Sequence, residues 1–263
     1  MRKSSLQPKL ETVLDEIGSV AVAVSGGVDS MTLAHVAHKR LGCAATMFHA
    51  LSPAVPDEAT QRILAHSDES GWHLEMINAN EMQDPRYLEN PLNRCFFCKT
   101  NLYSRISNFT SKVIISGTNL DDLNDFRPGL QAAQNFRVRH PFVESAITKN
   151  EIRSIAFDLG LHDVSDLPAA PCLSSRIETG LRVTNEKLKL IDDIERLLKK
   201  ELGPQTVRCR LRHSGVVVEL EEDTLSTINY KLREKVDSLL KIHVIAQSVK
   251  YAPYRQGSAF IRD

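Results

Sequence analysis

Two groups of residues in this chain have the types and spacing to do chemistry. The first is Ser25-Gly-Gly-Val-Asp-Ser30, which follows the apolar run Val20-Ala-Val-Ala-Val24. A buried strand that ends at two adjacent glycines and restarts as a helix near Ser30 aims backbone N–H groups and two hydroxyls at one point. That point lies beside the positive end of a helix dipole, which is the physical description of a phosphate cradle. It is not a Walker loop, because the Gly-Lys-Ser/Thr ending is missing. The second group is a set of cysteines: Cys95 and Cys98 in Asn93-Arg-Cys-Phe-Phe-Cys-Lys99, and Cys172 in Pro171-Cys-Leu-Ser-Ser-Arg176. A Cys-x-x-Cys alone suits a redox pair or half of a zinc site. A zinc site needs two more ligands, and no second Cys-x-x-Cys exists; a redox pair leaves Cys172 without a role. Three thiolates holding a four-iron cluster with one iron open use all three cysteines.

These residues need a frame. Strands are expected over 20–24, 44–50, 73–78 and 113–116, with helices near 30–41, 57–70 and 98–109 between them. That alternation predicts an α/β fold with a parallel sheet covered on both faces, and ligands beyond the carboxyl ends of its strands. Thr148-Lys-Asn-Glu151 is a capping box that starts a helix running to Leu159, stopped by Gly160. After about residue 182 the texture changes. Thr184 caps a helix with the apolar stripe Leu188, Ile191, Ile194, Leu197 and Leu198, ended by Gly203-Pro204. Strands over 206–212 and 215–220, a helix over 223–240 and a strand over 243–250 complete a smaller α+β domain. The expected division is therefore 1–182 and 183–263.

Two further segments fall near the ligand side of the sheet. Asp121-Asp-Leu-Asn-Asp125-Phe-Arg127-Pro-Gly129 follows the strand at 113–116. Its carboxylates suit Mg²⁺ and Arg127 suits a phosphate or carboxylate; equally, Asp and Asn there serve as turn and cap residues. Gly117, Thr118 and Asn119 are expected to shape the nucleotide pocket. Arg208, Arg210 and Arg212 alternate along one strand face, and a solvated face or salt bridges to a neighbouring subunit account for them better than an anion site.

The composition bounds the function. With 263 residues, 42% of them hydrophobic, the chain can bury a large core in one domain or two. Lys+Arg and Asp+Glu balance at 33 each, which counts against sequence-blind nucleic-acid binding. No apolar stretch approaches the roughly 20 residues that span a bilayer. The N-terminal residues lack the apolar segment of a secretory signal, so a cytoplasmic protein is expected. The five cysteines then argue against a disulfide framework. Cys43 and Cys209 are expected to be small buried hydrophobes.

The loop at Ser25–Ser30 resembles the pyrophosphate loop of the N-type ATP pyrophosphatases, the PP-loop superfamily with its adenine nucleotide alpha hydrolase-like fold. Its members include NAD synthetase, the GMP synthetase activation domain, tRNA-thiolating enzymes and the LarE sulfur transferases. The cysteines bring the chain nearest to LarE. The resemblance runs through most of the first 180 residues, over Ser25–Ser30, Asn93–Lys99, Gly117–Gly129, Thr148–Arg153 and Cys172–Ile177. Past residue 185 it is general.

The resemblance implies that Ser25, Gly26, Gly27 and Ser30 hold phosphate oxygens of ATP, and that Asp29 orients the loop or helps hold Mg²⁺. It implies adenylation of a carboxylate of pyridinium-3,5-biscarboxylic acid mononucleotide, then thiolation, in nickel-pincer cofactor biosynthesis. Sulfur comes from Cys172 itself or from a four-iron four-sulfur cluster on Cys95, Cys98 and Cys172. Arg176 would favour the Cys172 thiolate and hold a phosphate. Ser175 would donate a hydrogen bond there, or is a simple turn residue. The implied partners are a small nucleotide substrate, other proteins of that biosynthesis and further copies of the chain, with no membrane or nucleic acid. A tRNA thiolase and a nucleotide-binding regulator with structural zinc stay open as alternatives.

Overall fold

The computed structural model describes residues 6–124, 127–203, 206–242 and 249–255. In chain order they form α1 (Leu6–Ile17), β1 (Val20–Ala23), α2 (Val28–Leu41), β2 (Ala45–Ala50), α3 (Asp57–Ser70), β3 (Leu74–Ile77) and α4 (Pro85–Leu88). Next come α5 (Arg94–Phe109), β4 (Val113–Ser116), α6 (Pro128–Asn135), α7 (Pro141–Glu144), α8 (Lys149–Asp158) and α9 (His162–Ser165). There follow α10 (Asn185–Leu202), β5 (Val207–Arg212), β6 (Gly215–Leu220), α11 (Glu222–Leu225), α12 (Tyr230–Ile242) and β7 (Val249–Pro253). The chain divides into two compact units, Met1–Glu81 with Asn93–Ala170, and Met82–Leu92 with Pro171–Asp263.

The first unit carries a four-stranded parallel sheet in the order β3-β2-β1-β4. Because strand side chains alternate, β1 feeds two cores. Val20 and Val22 pack with Leu10, Leu14, Met31, Leu33, Ile152 and Ile155 from α1, α2 and α8. Ala21 and Ala23 pack with Tyr103, Ile106, Ala132 and Ala133 from α5 and α6. The sheet is thus doubly wound, and the small alanines on the second face let the α5 and α6 side chains approach it. The strand order reverses at β1, so the carboxyl ends of β1 and β4 flank the switch point where such sheets bind ligands.

The second unit has a three-stranded sheet in the order β5-β6-β7, antiparallel at β5–β6 and parallel at β6–β7, with α10 packed against β5 and α12. Helix α10 begins where Thr184 accepts a hydrogen bond from the Lys187 N–H and stops at Gly203, which adopts the left-handed φ of 68°. Sequence texture places the boundary near 182, whereas the second unit starts at Pro171 and also takes up Met82–Leu92. The reason is polar: Asn90 and Leu88 bond to residues 177–183 of that unit.

Other expectations change in detail. The single helix over 223–240 is two, α11 and α12, separated by a turn in which Asn229 Oδ1 caps the Leu232 N–H. Cys209 is fully buried, as expected, but Cys43 is exposed, because the chain leaves α2 through a short 3₁₀ turn and burial resumes only at Ala45. Asp125, Pro204 and residues 243–248 lie outside the described residues. No helix among the described residues is long and apolar enough to cross a membrane.

Candidate functional site

The loop after β1 is closed by its own serines. Ser30 Oγ accepts the Ser25 N–H at 3.0 Å and donates to the Gly27 carbonyl at 3.2 Å. With the single Ser30 proton placed there, the 3.1 Å contact between the two hydroxyls has Ser25 as donor. Ser25 itself is exposed while Ser30 is buried, so Ser25 faces outward and Ser30 braces the turn. Gly27 occupies the N-cap of α2 in extended backbone and no side chain caps the helix, which leaves first-turn N–H groups for an anion. Gly26 has φ +81°, and a Cβ there would sit 2.8 Å from the Ala59 carbonyl oxygen on α3. Only glycine meets both conditions.

Helix α3 supports this loop from outside. Arg62 Nη1 donates to the Gly26 carbonyl at 2.9 Å. His49, at the end of β2, donates from Nδ1 to the Val24 carbonyl at 2.9 Å and accepts at Nε2 from Thr60 at 3.0 Å. Burial lowers the His49 pKa, which keeps the imidazole in the neutral form this pattern requires. Sequence reasoning missed Thr60 and Arg62, because nothing local marks an α3 side chain as a loop support.

The end of β4 meets the same helix. A Cβ on Gly117 would lie 2.9 Å from Ser30 N and Asp29 C, so this glycine allows the β4 end to touch the first turn of α2. Asn119 Nδ2 reaches Asp29 Oδ1 at 3.4 Å, and Lys149 Nζ pairs with Asp29 Oδ2 at 2.5 Å. The Lys149 position follows from the capping box, whose two reciprocal bonds between Thr148 and Glu151 are both present. Asp121 accepts the Lys149 N–H at 2.7 Å, while Asp122 pairs with Arg127 at 2.6 Å. Burial raises the Asp122 carboxyl above its ordinary range. Thr118, Ser116 and His140 form a hydroxyl–imidazole chain at 3.1 and 3.0 Å, and burial holds His140 below the usual histidine value. The structure therefore brings Ser25, Gly26, Gly27, Asp29, Ser30, Gly117, Asn119 and Lys149 to one place at the switch point.

Cys95 and Cys98 sit in the first turns of α5, three residues apart and so on one helical face. Cys95 is exposed and Cys98 half-buried. Gly129, at the start of α6, lets that helix approach, since a Cβ would be 3.1 Å from Lys99 Cγ and 3.7 Å from the Cys95 carbonyl oxygen.

In the second unit, Cys172 is half-buried and precedes the 3₁₀ turn Leu173–Arg176. Arg176 is buried and grips Glu195 of α10 with two bonds of 3.0 and 3.1 Å. Its remaining nitrogen donates to the carbonyls of Pro171 and Cys172 and to Ser175 Oγ. The guanidinium thus organises the backbone around Cys172, and Ser175 is part of that arrangement. The arginines of β5 do not face solvent as expected. Arg208 and Arg210 are buried, and Arg210 and Arg212 share Glu219 of β6 at 2.8 and 3.2 Å. A buried carboxylate across the hairpin neutralises what sequence alone showed as a run of cations. Among the described residues no group of three or more His, Cys, Asp or Glu side chains is gathered as a metal-ligand set, and no cysteine is in a disulfide.

No protein-family model matches the chain. The uncharacterized protein slr1717 of Synechocystis sp. is 38% identical over 261 residues, which is 96% of this chain and 97% of that protein. The uncharacterized protein MJ0830 of Methanocaldococcus jannaschii is 26% identical over 216 residues, 81% of each chain. The pyridinium-3,5-bisthiocarboxylic acid mononucleotide synthase of Lactiplantibacillus plantarum is 27% identical over 238 residues, 88% of this chain and 86% of the synthase. The chain belongs to one family with the Synechocystis protein, and it is similar to the synthase over most of its length.

Proposed function

We propose that this protein is an ATP-dependent sulfur transferase that converts a carboxylate of pyridinium-3,5-biscarboxylic acid mononucleotide to a thiocarboxylate. The reading is carried by the uncapped α2 N-terminus behind the Gly26–Gly27 turn at the sheet's switch point. It draws its acceptor from the relative that bears the name of a bisthiocarboxylic acid mononucleotide synthase.

The chemistry runs in two steps. A carboxylate oxygen of the substrate attacks the α-phosphorus of ATP, the bond to the bridging oxygen breaks, and pyrophosphate leaves. The N–H groups of the loop and of the first turn of α2 stabilise the charge that grows on pyrophosphate, where fixed donors act most strongly. Lys149, paired with Asp29 at the same turn, adds a cation within reach of the phosphates. A sulfur nucleophile then attacks the acyl carbon and AMP departs. Sulfide gives the thiocarboxylate directly, whereas a Cys172 thiolate gives a thioester. Its Cβ–S bond then breaks by β-elimination, the Cα proton passing to solvent, to release the thiocarboxylate and leave dehydroalanine at position 172. Thiolate suits this step, since it is far more nucleophilic near neutral pH than a hydroxyl.

Mg²⁺ accompanies ATP. Such ions sit mostly on substrate phosphates with one or two carboxylates, so Asp29 fits as the protein's share without a dedicated cage. For the four-iron cluster, the fit is one of ligand type: Cys95 and Cys98 share one helical face of α5, and Cys172 would be the third thiolate. Cys95, Cys98 and Cys172 would hold such a cluster, which would supply sulfide as the nucleophile; without it, Cys172 would give its own sulfur. The acceptor is a small nucleotide, with no role for membrane or nucleic acid.

The test is an anaerobic preparation assayed for iron and sulfide, then given ATP and the pyridinium dicarboxylate. The expected result is equal release of AMP, pyrophosphate and thiocarboxylate. Stoichiometric iron and sulfide with Cys172 intact over several turnovers supports the cluster route; loss of H₂S from Cys172 after one product per chain supports the sacrificial one. Zinc in place of iron with no product, or sulfur delivered to tRNA instead, overturns the proposal.

A further inference from the structure

We propose that Tyr87 and Asn90 are positioning residues for Cys172, acting from a strap that the chain order assigns to neither cysteine region. The proposal rests on the sulfur-transferase reading. Met82–Leu92 falls between β3 and α5 in sequence, yet it belongs to the second unit.

Tyr87 and Ser174 are both buried, and their hydroxyls meet at 2.6 Å. Ser174 lies two positions after Cys172, inside the 3₁₀ turn that the Ser175 N–H closes onto the Cys172 carbonyl at 2.9 Å. Asn90 is fully buried with φ +55°, a left-handed backbone that asparagine tolerates better than most residues. Its Nδ2 donates to the carbonyls of Ile177, Glu178 and Leu181 at 3.2, 2.8 and 2.9 Å. The backbone adds two more bonds: Gly180 N–H to the Asn90 carbonyl at 3.0 Å and Val183 N–H to the Leu88 carbonyl at 2.9 Å. The strap therefore grips the chain within and just beyond the turn that Cys172 opens. Arg176 and Glu195 hold the turn's far end. A sulfur atom must meet an acyl carbon within a few tenths of an ångström of the productive geometry, and a misplacement of about 1 Å costs about 100-fold in rate. Buried polar pairs with fixed geometry supply that precision.

The experiment compares the full-length protein with Tyr87→Phe and Ser174→Ala in three readouts: pyrophosphate release, thiocarboxylate formation, and the alkylation rate of Cys172 by iodoacetamide followed by mass spectrometry. The expected result is pyrophosphate release within about twofold of wild type, thiocarboxylate formation down about tenfold, and a several-fold change in Cys172 alkylation. Unchanged transfer and unchanged alkylation overturn the proposal. Equal loss in both chemical steps also overturns it, since that marks general damage to the fold. If wild type makes no thiocarboxylate but Tyr87→Phe still alters alkylation, the positioning stands and the transferase reading fails. Should both variants fail to fold, hydrogen exchange of wild type decides: joint protection of the Ser175, Ile177 and Val183 amides supports the strap, and free exchange at them refutes it.

Discussion

The loop at Ser25–Ser30 is held by backbone, by serines five residues apart and by glycines that let α3 and β4 come close. The turn at Leu173–Arg176 and the chain just after it hang instead on buried side chains from other parts of the chain: Tyr87 and Glu195 on the turn, Asn90 on residues 177–181. Under the proposed function, the difference follows from what each loop would have to do. A phosphate is bound by N–H groups, which every residue carries, so shape is the requirement and glycine meets it. A reactive cysteine has to be aimed, and aim comes from locked side chains around it.

The largest effect on pyrophosphate release belongs to Gly26→Ala. A left-handed φ and a 2.8 Å approach to the Ala59 carbonyl leave no room for a methyl group, so the loop has to shift. Pyrophosphate release should fall by about 100-fold or more, which corresponds to roughly 3 kcal/mol of lost transition-state binding. Near-normal turnover would mean that the loop is not the adenylation site.

Glu195→Ala comes next and strikes the other region. It leaves Arg176 buried without its carboxylate, and broken buried pairs cost about 3–5 kcal/mol. The expected outcome is a marked loss in denaturant stability together with loss of sulfur transfer. Arg62→Ala, which removes one charged donor from the Gly26 carbonyl, should be milder: about tenfold in KM for ATP with stability near wild type. An Arg62 effect larger than that of Gly26→Ala would reverse the ranking of backbone over side chain at the phosphate loop.

A pH dependence on α2 touches neither region directly. His35 bonds to His66 at 3.0 Å, and His66 to Asp163 at 2.9 Å. Burial, then the neighbouring His66 and His38, lower the His35 pKa from 6.5 to about 4, against a smaller opposing pull from Asp163. The unfolded chain takes up this proton near pH 6.5 and the folded chain does not until about pH 4. The stability it contributes is complete above the unfolded value and declines as pH falls towards the folded one. Melting temperature should drop across that window, and His35→Gln should flatten the slope. An unchanged slope would place the pH response elsewhere.

Much of the first region was legible in the sequence. The apolar run, the two glycines and the flanking serines are contiguous, so β1, the turn and α2 follow from local pattern. The Cys-x-x-Cys on α5 was legible for the same reason. Lys149 was half legible: the capping box fixed where α8 starts, but the partner, Asp29, lies 120 residues away. The strap carried no local signal, because Tyr87 and Asn90 reveal their roles only through partners 87 to 91 residues on. Glu195 did carry one. It interrupts the apolar stripe of α10 between Ile191 and Leu198, and a carboxylate in a buried stripe requires a buried cation. Cys43 shows the limit of composition, since a cysteine between helix and strand is exposed once a 3₁₀ turn intervenes.

In the proposed reaction two regions divide the work, the loop activating the carboxylate and Cys172 serving its thiolation. Cys172→Ala tests that division most directly, assayed anaerobically with ATP and the pyridinium dicarboxylate mononucleotide. The expected outcome is pyrophosphate release, accumulation of the acyl adenylate and no thiocarboxylate. Full sulfur transfer by Cys172→Ala would contradict it.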